Sequence, residues 1–205
     1  MKNGVFITFE GCEGAGKSTQ IHLLCEWLKL NKIDFVSTRE PGGSIIAEKV
    51  RDVIMDSKNE NMSDICEAML YSAARAQHLA DIVIPALNAG KLVICDRFTH
   101  STFAYQGYAK GLGTDYITKL NALATFGIIP DATLFLDLHP DEAFVRKGGK
   151  GDDRMERLSL EFHKKVYEGY SNFFGEPDFI RIDASGTKQE THEKIISAVS
   201  KLLNL

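Results

Sequence analysis

Cysteine is scarce and scattered: Cys12, Cys25, Cys66 and Cys95 are the only four, and none form a C-x-x-C pair. That excludes a zinc ribbon, offers no disulfide framework, and suits a reducing compartment. Positive charge is not in excess. The 24 Lys and Arg stand against 28 Asp and Glu, a net charge of -4, which excludes a broad nucleic-acid footprint. Anion binding must then come from local clusters of Arg and Lys. No apolar run approaches the roughly 20 residues of a membrane span, and the first strand-like stretch, Val5–Glu10, follows no secretory segment. The expected location is cytoplasmic, with no membrane and no nucleic-acid partner. Repeats, low-complexity tracts and linkers are missing too, so the 205 residues read as one well-filled domain.

What is present is alternation. Short apolar, β-branched runs at Val5–Glu10, Phe35–Thr38, Leu92–Asp96, Ala132–Leu138 and Phe179–Asp183 are separated by helix-length patterns near 17–31, 43–57, 63–89, 115–126, 154–174 and 187–204. Runs apolar almost throughout fit parallel strands covered on both faces. The pattern predicts an α/β fold, a doubly wound five-stranded parallel sheet with right-handed crossovers. In such sheets ligands bind beyond the carboxyl ends of the strands. Three unusual sequences follow predicted strands: Gly11–Ser18, Arg39–Gly43 and Asp96–Gln106. The topology gathers them at one edge.

Gly11-Cys12-Glu13-Gly14-Ala15-Gly16-Lys17-Ser18, with Thr19 after it, matches G-x-x-x-x-G-K-[ST]. Glycines let the backbone wrap phosphate oxygens with inward N–H groups, and the next helix presents its positive end to the same anion. Lys17 is placed to reach the β- and γ-phosphates of ATP, and the Ser18 hydroxyl to ligate Mg²⁺. A glycine-rich turn can match by accident, but this one lies between a strand pattern and an amphipathic helix, the context the mechanism requires.

Further motifs accompany the loop: Phe9-Glu10-Gly11 before it, Thr38-Arg39-Glu40-Pro41-Gly42-Gly43, Tyr71-Ser72-Ala73-Ala74-Arg75, Asp96-Arg97-Phe98 with Ser101 and Ala104-Tyr105-Gln106, and Asp153-Arg154-Met155-Glu156. In order and spacing, over nearly the full length, the chain resembles the thymidylate kinases, most closely their bacterial members. The resemblance implies a P-loop nucleoside monophosphate kinase with a short lid near 146–154. Its reaction is transfer of the γ-phosphoryl group of ATP to dTMP, giving dTDP and ADP on the way to dTTP, with Mg²⁺ as cofactor and a homodimer as the assembly. The predicted 63–89 helix is a candidate for the dimer face.

Residue roles follow from the same resemblance. Arg39 grips the acceptor phosphate, for which a guanidinium fork is better suited than an ammonium. Tyr71 stacks on thymine and Arg75 binds a base oxygen; they lie four apart and share a helix face, although periodicity alone favours a half-buried ring beside a solvated Arg. Asp96 enters the Mg²⁺ shell, and Arg97 bridges donor and acceptor phosphates. Ser101 and Thr102 face the pyrimidine edge, Gln106 the nucleoside, and Tyr105 crowds the ribose 2′ position. Glu13 stands at the loop position where relatives carry an acid contacting the sugar. The lid segment offers Arg146, Lys147, Lys150 and Arg154, with Gly148 and Gly149 where bacterial relatives carry more arginine. Ala15 replaces the loop arginine of some eukaryotic members, so transition-state charge falls to the lid; Arg146, Lys150 and Arg154 are the candidates alongside Lys17 and Arg97.

Other readings stay open at this level. A deoxynucleoside kinase would use Glu40 as a base, another monophosphate kinase would read a different base edge, and a P-loop regulator would bind nucleotide without chemistry.

Overall fold

The computed structural model describes residues 4–147, 154 and 158–205. Its centre is β1 (Phe6–Glu10), four aromatic or β-branched residues followed by Glu10, buried at every position. Strands β2 (Phe35–Arg39), β3 (Leu92–Asp96), β4 (Ala132–Asp137) and β5 (Phe179–Asp183) complete one parallel sheet in the order β2-β3-β1-β4-β5. Register decides where the site forms. Phe9 and Arg39 both pair with Asp96, so β1, β2 and β3 end at one level.

Helices cover both faces. In α1 (Lys17–Leu30) the buried residues are Lys17, Gln20, Ile21, Leu24, Cys25 and Leu28, a stripe of helical period. The stripe packs with α9 (Lys188–Leu203), whose start is closed by a reciprocal Thr187–Glu190 capping box. Truncating Leu24 or Leu28, both fully buried, would cost roughly 2–5 kcal/mol.

The expected single helix over 63–89 is a continuous helical path with a fault in it. Regular α3 (Asp64–His78) gives way to a wide π turn, Leu79–Val83, before α4 (Ile84–Asn88). Pro85 is the reason: its ring lacks an N–H and clashes with the preceding turn, which opens to accommodate it. Two further elements were not expected. One is α5 (Thr99–Thr102), continued by a π turn at Phe103–Ala109; the other is α7 (Pro140–Lys147). The remaining helices are α2 (Ile45–Met55), α6 (Thr114–Ala124) and α8 (Leu160–Ser171), the last beginning later than the predicted 154.

Gly169 lets α8 approach the Phe103–Ala109 turn. A Cβ there would lie 2.9 Å from the Ala104 Cα, so any side chain would force the two elements apart. This contact sets the depth of the neighbouring Tyr170. Among the described residues, no helix is long and apolar enough to cross a membrane.

Candidate active site

The loop after β1 takes its shape from glycine. Gly11, Gly14 and Gly16 all have positive φ, and a Cβ on Gly14 would fall 2.7 Å from the Ala143 carbonyl oxygen of α7. Cys12 and Ala15 point into the interior, whereas Glu13, Gly14, Gly16, Lys17, Ser18 and Thr19 line a cavity of about 450 Å³. Lys17 is buried, its Nζ donating to the carbonyls of Gly11 and Cys12 at 3.0 and 3.2 Å. Burial and the nearby Arg97 both press its pKa below the usual lysine value, while Glu13 and Asp96 pull it up. An ammonium held on two carbonyls in a buried loop is matched to an incoming anion.

Most of the other sequence-predicted groups reach the same cavity, from five stretches of chain. Arg39 comes from the end of β2, where its Nη2 meets both Glu48 oxygens at 3.0 and 2.9 Å. The cis Glu40–Pro41 bond follows it. Tyr71 and Arg75 come from α3, Asp96 and Arg97 from the end of β3, and Ser101, Thr102, Tyr105 and Gln106 from α5 and its wide turn. Arg146 of α7 also lines the cavity while donating to the carbonyls of Ala184 and Ser185 at 2.8 and 2.6 Å.

Arg97 joins the two halves. It takes a left-handed conformation, φ 71°, which costs of order 1–3 kcal/mol in a non-glycine residue. The turn directs its guanidinium back to the loop: it donates to Gly11 O and Tyr170 Oη at 3.3 Å, to Ser101 Oγ at 3.1 Å, and pairs with Glu13. The Tyr105 hydroxyl is 3.3 Å from the same group, and its ring lies under the guanidinium.

Behind it sits Glu10, wholly buried, accepting from the Phe98 and Ser101 amides, the Ser101 hydroxyl and the Tyr170 phenol. Sequence reading passed over Glu10 and Tyr170 as site residues. Their partners are 91 and 160 positions away, and no local pattern marks such pairs. Arg51, another cavity-lining cation, was also passed over. It lies seven residues into α2, and its Nη1 is held on Pro41 O at 2.8 Å. Its position two turns after the Pro-Gly-Gly bend was the available signal.

Arg75 is only 2% exposed, not the solvated cation that periodicity allowed. Its Nε donates to Glu40, Nη1 to Asn121, and Nη2 to Phe98 O and Thr102 Oγ1. Glu40 is held in turn by His78 Nδ1, whose other nitrogen meets Thr38 Oγ1 at 2.7 Å. Glu40, His78 and Cys95 bring ligand-type atoms within 4.8 Å of one another. Their polar groups are already paired, however: the Cys95 thiol, kept protonated by burial, lies 3.1 Å from the Arg97 carbonyl. The cluster braces Arg75.

One lid candidate, Arg154, is not brought to the cavity. Arg154 pairs with Glu67 of α3 and donates to Ile54 O at 3.0 Å, and it is not among the lining residues. The carboxylate of Glu67, buried and acceptor-only, attracts the guanidinium away from the phosphate side. Lys150 lies outside the described residues, as does most of the expected lid.

Comparison with known proteins identifies the family. The family model described as thymidylate kinase matches residues 9–195. A thymidylate kinase of Thermoanaerobacter sp. (strain X514) is 44% identical over 202 residues, spanning 98% of this chain and 99% of the relative. One from Symbiobacterium thermophilum is 46% identical over 201 residues, 97% of this chain and 94% of its own. One from Clostridium novyi is 49% identical over 173 residues, 83% and 84% of the two. With the family model matching residues 9–195 and identity at this level over nearly the whole chain, the chain belongs to the thymidylate kinase family.

Proposed function

We infer that this chain transfers the γ-phosphoryl group of ATP to dTMP, giving dTDP and ADP. One observation carries the reading: the loop lysine Lys17 and the arginines Arg39, Arg51 and Arg97 line one cavity, in a chain with no cationic excess. Two phosphate groups facing each other would demand that concentration of charge.

The acceptor needs no general base, because a phosphate monoester with a second pKa near 6 is largely a dianion at neutral pH. Alignment and charge neutralisation remain. In this reading Lys17 and the loop amides hold the donor phosphates, Arg39 and Arg51 the acceptor phosphate, and Arg97 stands between them. Arg75, Gln106, Ser101 and Thr102 meet the base, Tyr71 stacks on it, and Tyr105 and Glu13 meet the sugar. Arg146 supplies lid charge, with Lys150 as a further candidate. Arg154 keeps only a proposed supporting part.

Mg²⁺ fits the residues present. Asp96 Oδ1 is buried and has no partner among the described residues, and Ser18 lines the same cavity; hard oxygen donors of this kind suit the ion. Ser18 and Asp96 would hold it, and when bound it neutralises charge on the donor phosphates.

The nucleoside kinase reading fares worse. Both oxygens of Glu40, the base it would need, are occupied by Arg75 and His78. Exposed Val53, Ile65 and Met69 on the packed pair α2 and α3 support a homodimer through that face. Single-domain organisation and a cytoplasmic location complete the proposal. ADP release measured with dTMP, dUMP, dGMP, AMP and thymidine as acceptors tests the activity. Turnover of thymidine without turnover of dTMP would reject it.

A further inference from the structure

We propose that Glu67, a residue behind the cavity wall, sets the preference among pyrimidines by dictating which way the Gln106 amide faces. The proposal rests on the dTMP reading above. Gln106 lines the cavity although it is 2% exposed, and its Nε2 donates to Glu67 Oε1 at 2.9 Å. Glu67 is fully buried. Its other oxygen accepts from Lys110 Nζ at 2.8 Å and pairs with Arg154. A carboxylate paired with two cations accepts and has no hydrogen to give. Gln106 can therefore turn only its NH₂ toward Glu67. The amide orientation follows from the partner's chemistry rather than from the similar shapes of oxygen and nitrogen. Among the described residues no group donates to Gln106 Oε1, so the cavity is offered an acceptor.

Arg75 supplies the complementary half. Among the described residues, four of its five N–H groups are directed at Glu40, Asn121, Phe98 O and Thr102, leaving one on Nη1. An acceptor beside a lone donor matches a pyrimidine carrying N3–H next to a C4 carbonyl, as thymine and uracil do. Cytosine reverses both: its N3 lone pair would meet the Gln106 oxygen, and its amine the guanidinium. Buried mismatches of this kind reject an analogue strongly. A buried ionic cluster is weak evidence for stability, and orienting one amide is a task for which it is suited. Glu67 is a positioning residue that acts through Gln106.

The test compares kcat/KM for dTMP, dUMP and dCMP in the wild type, Glu67→Gln, and the double variant Glu67→Gln with Gln106→Glu, alongside thermal melts. In Glu67→Gln the partner can offer either a donor or an acceptor, so Gln106 is free to turn. The dTMP-to-dCMP ratio then falls by about tenfold or more, the penalty of one buried mispaired bond, and the dTMP-to-dUMP ratio holds. The double variant again presents an acceptor to the base, and the ratio recovers. Glu67→Asp keeps the charge for Lys110 and Arg154 but withdraws from Gln106; it repeats the test should Glu67→Gln not fold. Equal loss for all three substrates, with the ratios unmoved, overturns the inference and makes Glu67 structural. A wild type that does not phosphorylate dTMP instead rejects the functional reading, and this inference with it.

Discussion

The Tyr170 phenol donates to Glu10 Oε2 at 2.8 Å, tying the last turn of α8 to the carboxyl end of the central strand. The Tyr170 oxygen accepts in turn from Arg97, and Ser101 Oγ reaches the same Glu10 oxygen at 2.6 Å. Arg97 is thus braced from behind by two residues that do not line the cavity. Tyr170→Phe leaves the ring packing intact and removes the brace. We expect kcat to fall about tenfold with the KM for ATP little changed, and a loss of roughly 1–3 kcal/mol from the unsatisfied buried groups. Steady-state kinetics and a denaturant melt read both; an unchanged kcat removes Tyr170 from the support of Arg97.

Arg39 sits at the end of an edge strand with its guanidinium on Glu48. Because it is half exposed, its pairing with Glu48 adds little to stability, and its removal acts mainly on substrate. Arg39→Ala is expected to raise the KM for dTMP about tenfold or more, the weight of a charge-assisted contact, and to leave that for ATP nearly unchanged. Equal increases in both would move Arg39 out of the acceptor half.

Tyr105 is 5% exposed, with its hydroxyl 3.3 Å from Arg97 and 3.4 Å from Glu13. A ring fixed at both ends cannot yield to a 2′-hydroxyl. Tyr105→Ala is expected to lower the ratio of dTMP to ribo-TMP turnover, whereas Tyr105→Phe, which keeps the ring, retains most of it. Parallel loss of the ratio in both variants would rule out steric exclusion as the cause.

Burial pushes the Cys12 thiol up from 9.0 to about 12, against the pull of Lys17 and Arg97. The folded state therefore favours the protonated thiol. Its contribution is full below the unfolded value and drains as pH rises from about 9 toward about 12. Cys12→Ser cannot titrate there, so its melting temperature is expected to fall less steeply between about pH 8 and about pH 11 than that of the wild type. Tyr105 and Tyr170, which burial also shifts upward, are common to both proteins and cancel in the comparison. Parallel curves would show that Cys12 is not the titrating group.

The strand bounds at Leu92–Asp96 and Phe179–Asp183 were legible because each run is short, carries at least three apolar residues and is flanked by turn residues. The nucleotide loop was legible because its glycines and Lys17 act through adjacent backbone. Helix α7 was not: eight residues are too few to establish a period, although Pro140 followed by Asp141 and Glu142 is a helix-start signal that could have found it. The Phe103–Ala109 turn was hidden for a related reason, since its wide spacing breaks the 3.6 rhythm. Arg154 lies within a motif, but its sequence neighbours say nothing of Glu67, 87 positions earlier.

From the order of residues alone came the parallel sheet, the phosphate loop and the gathering of three motifs at one sheet edge, because each depends on contacts a few residues apart or on a topology with little freedom. Tertiary structure decided which charges face the cavity and which are held behind it. Arg75 and Arg97 look alike in sequence, yet one is caged by Glu40 and Asn121 and the other spans both halves of the site. Burial and partner geometry determine which hydrogen-bonding groups a side chain has left for a ligand, and both arise only when distant segments meet.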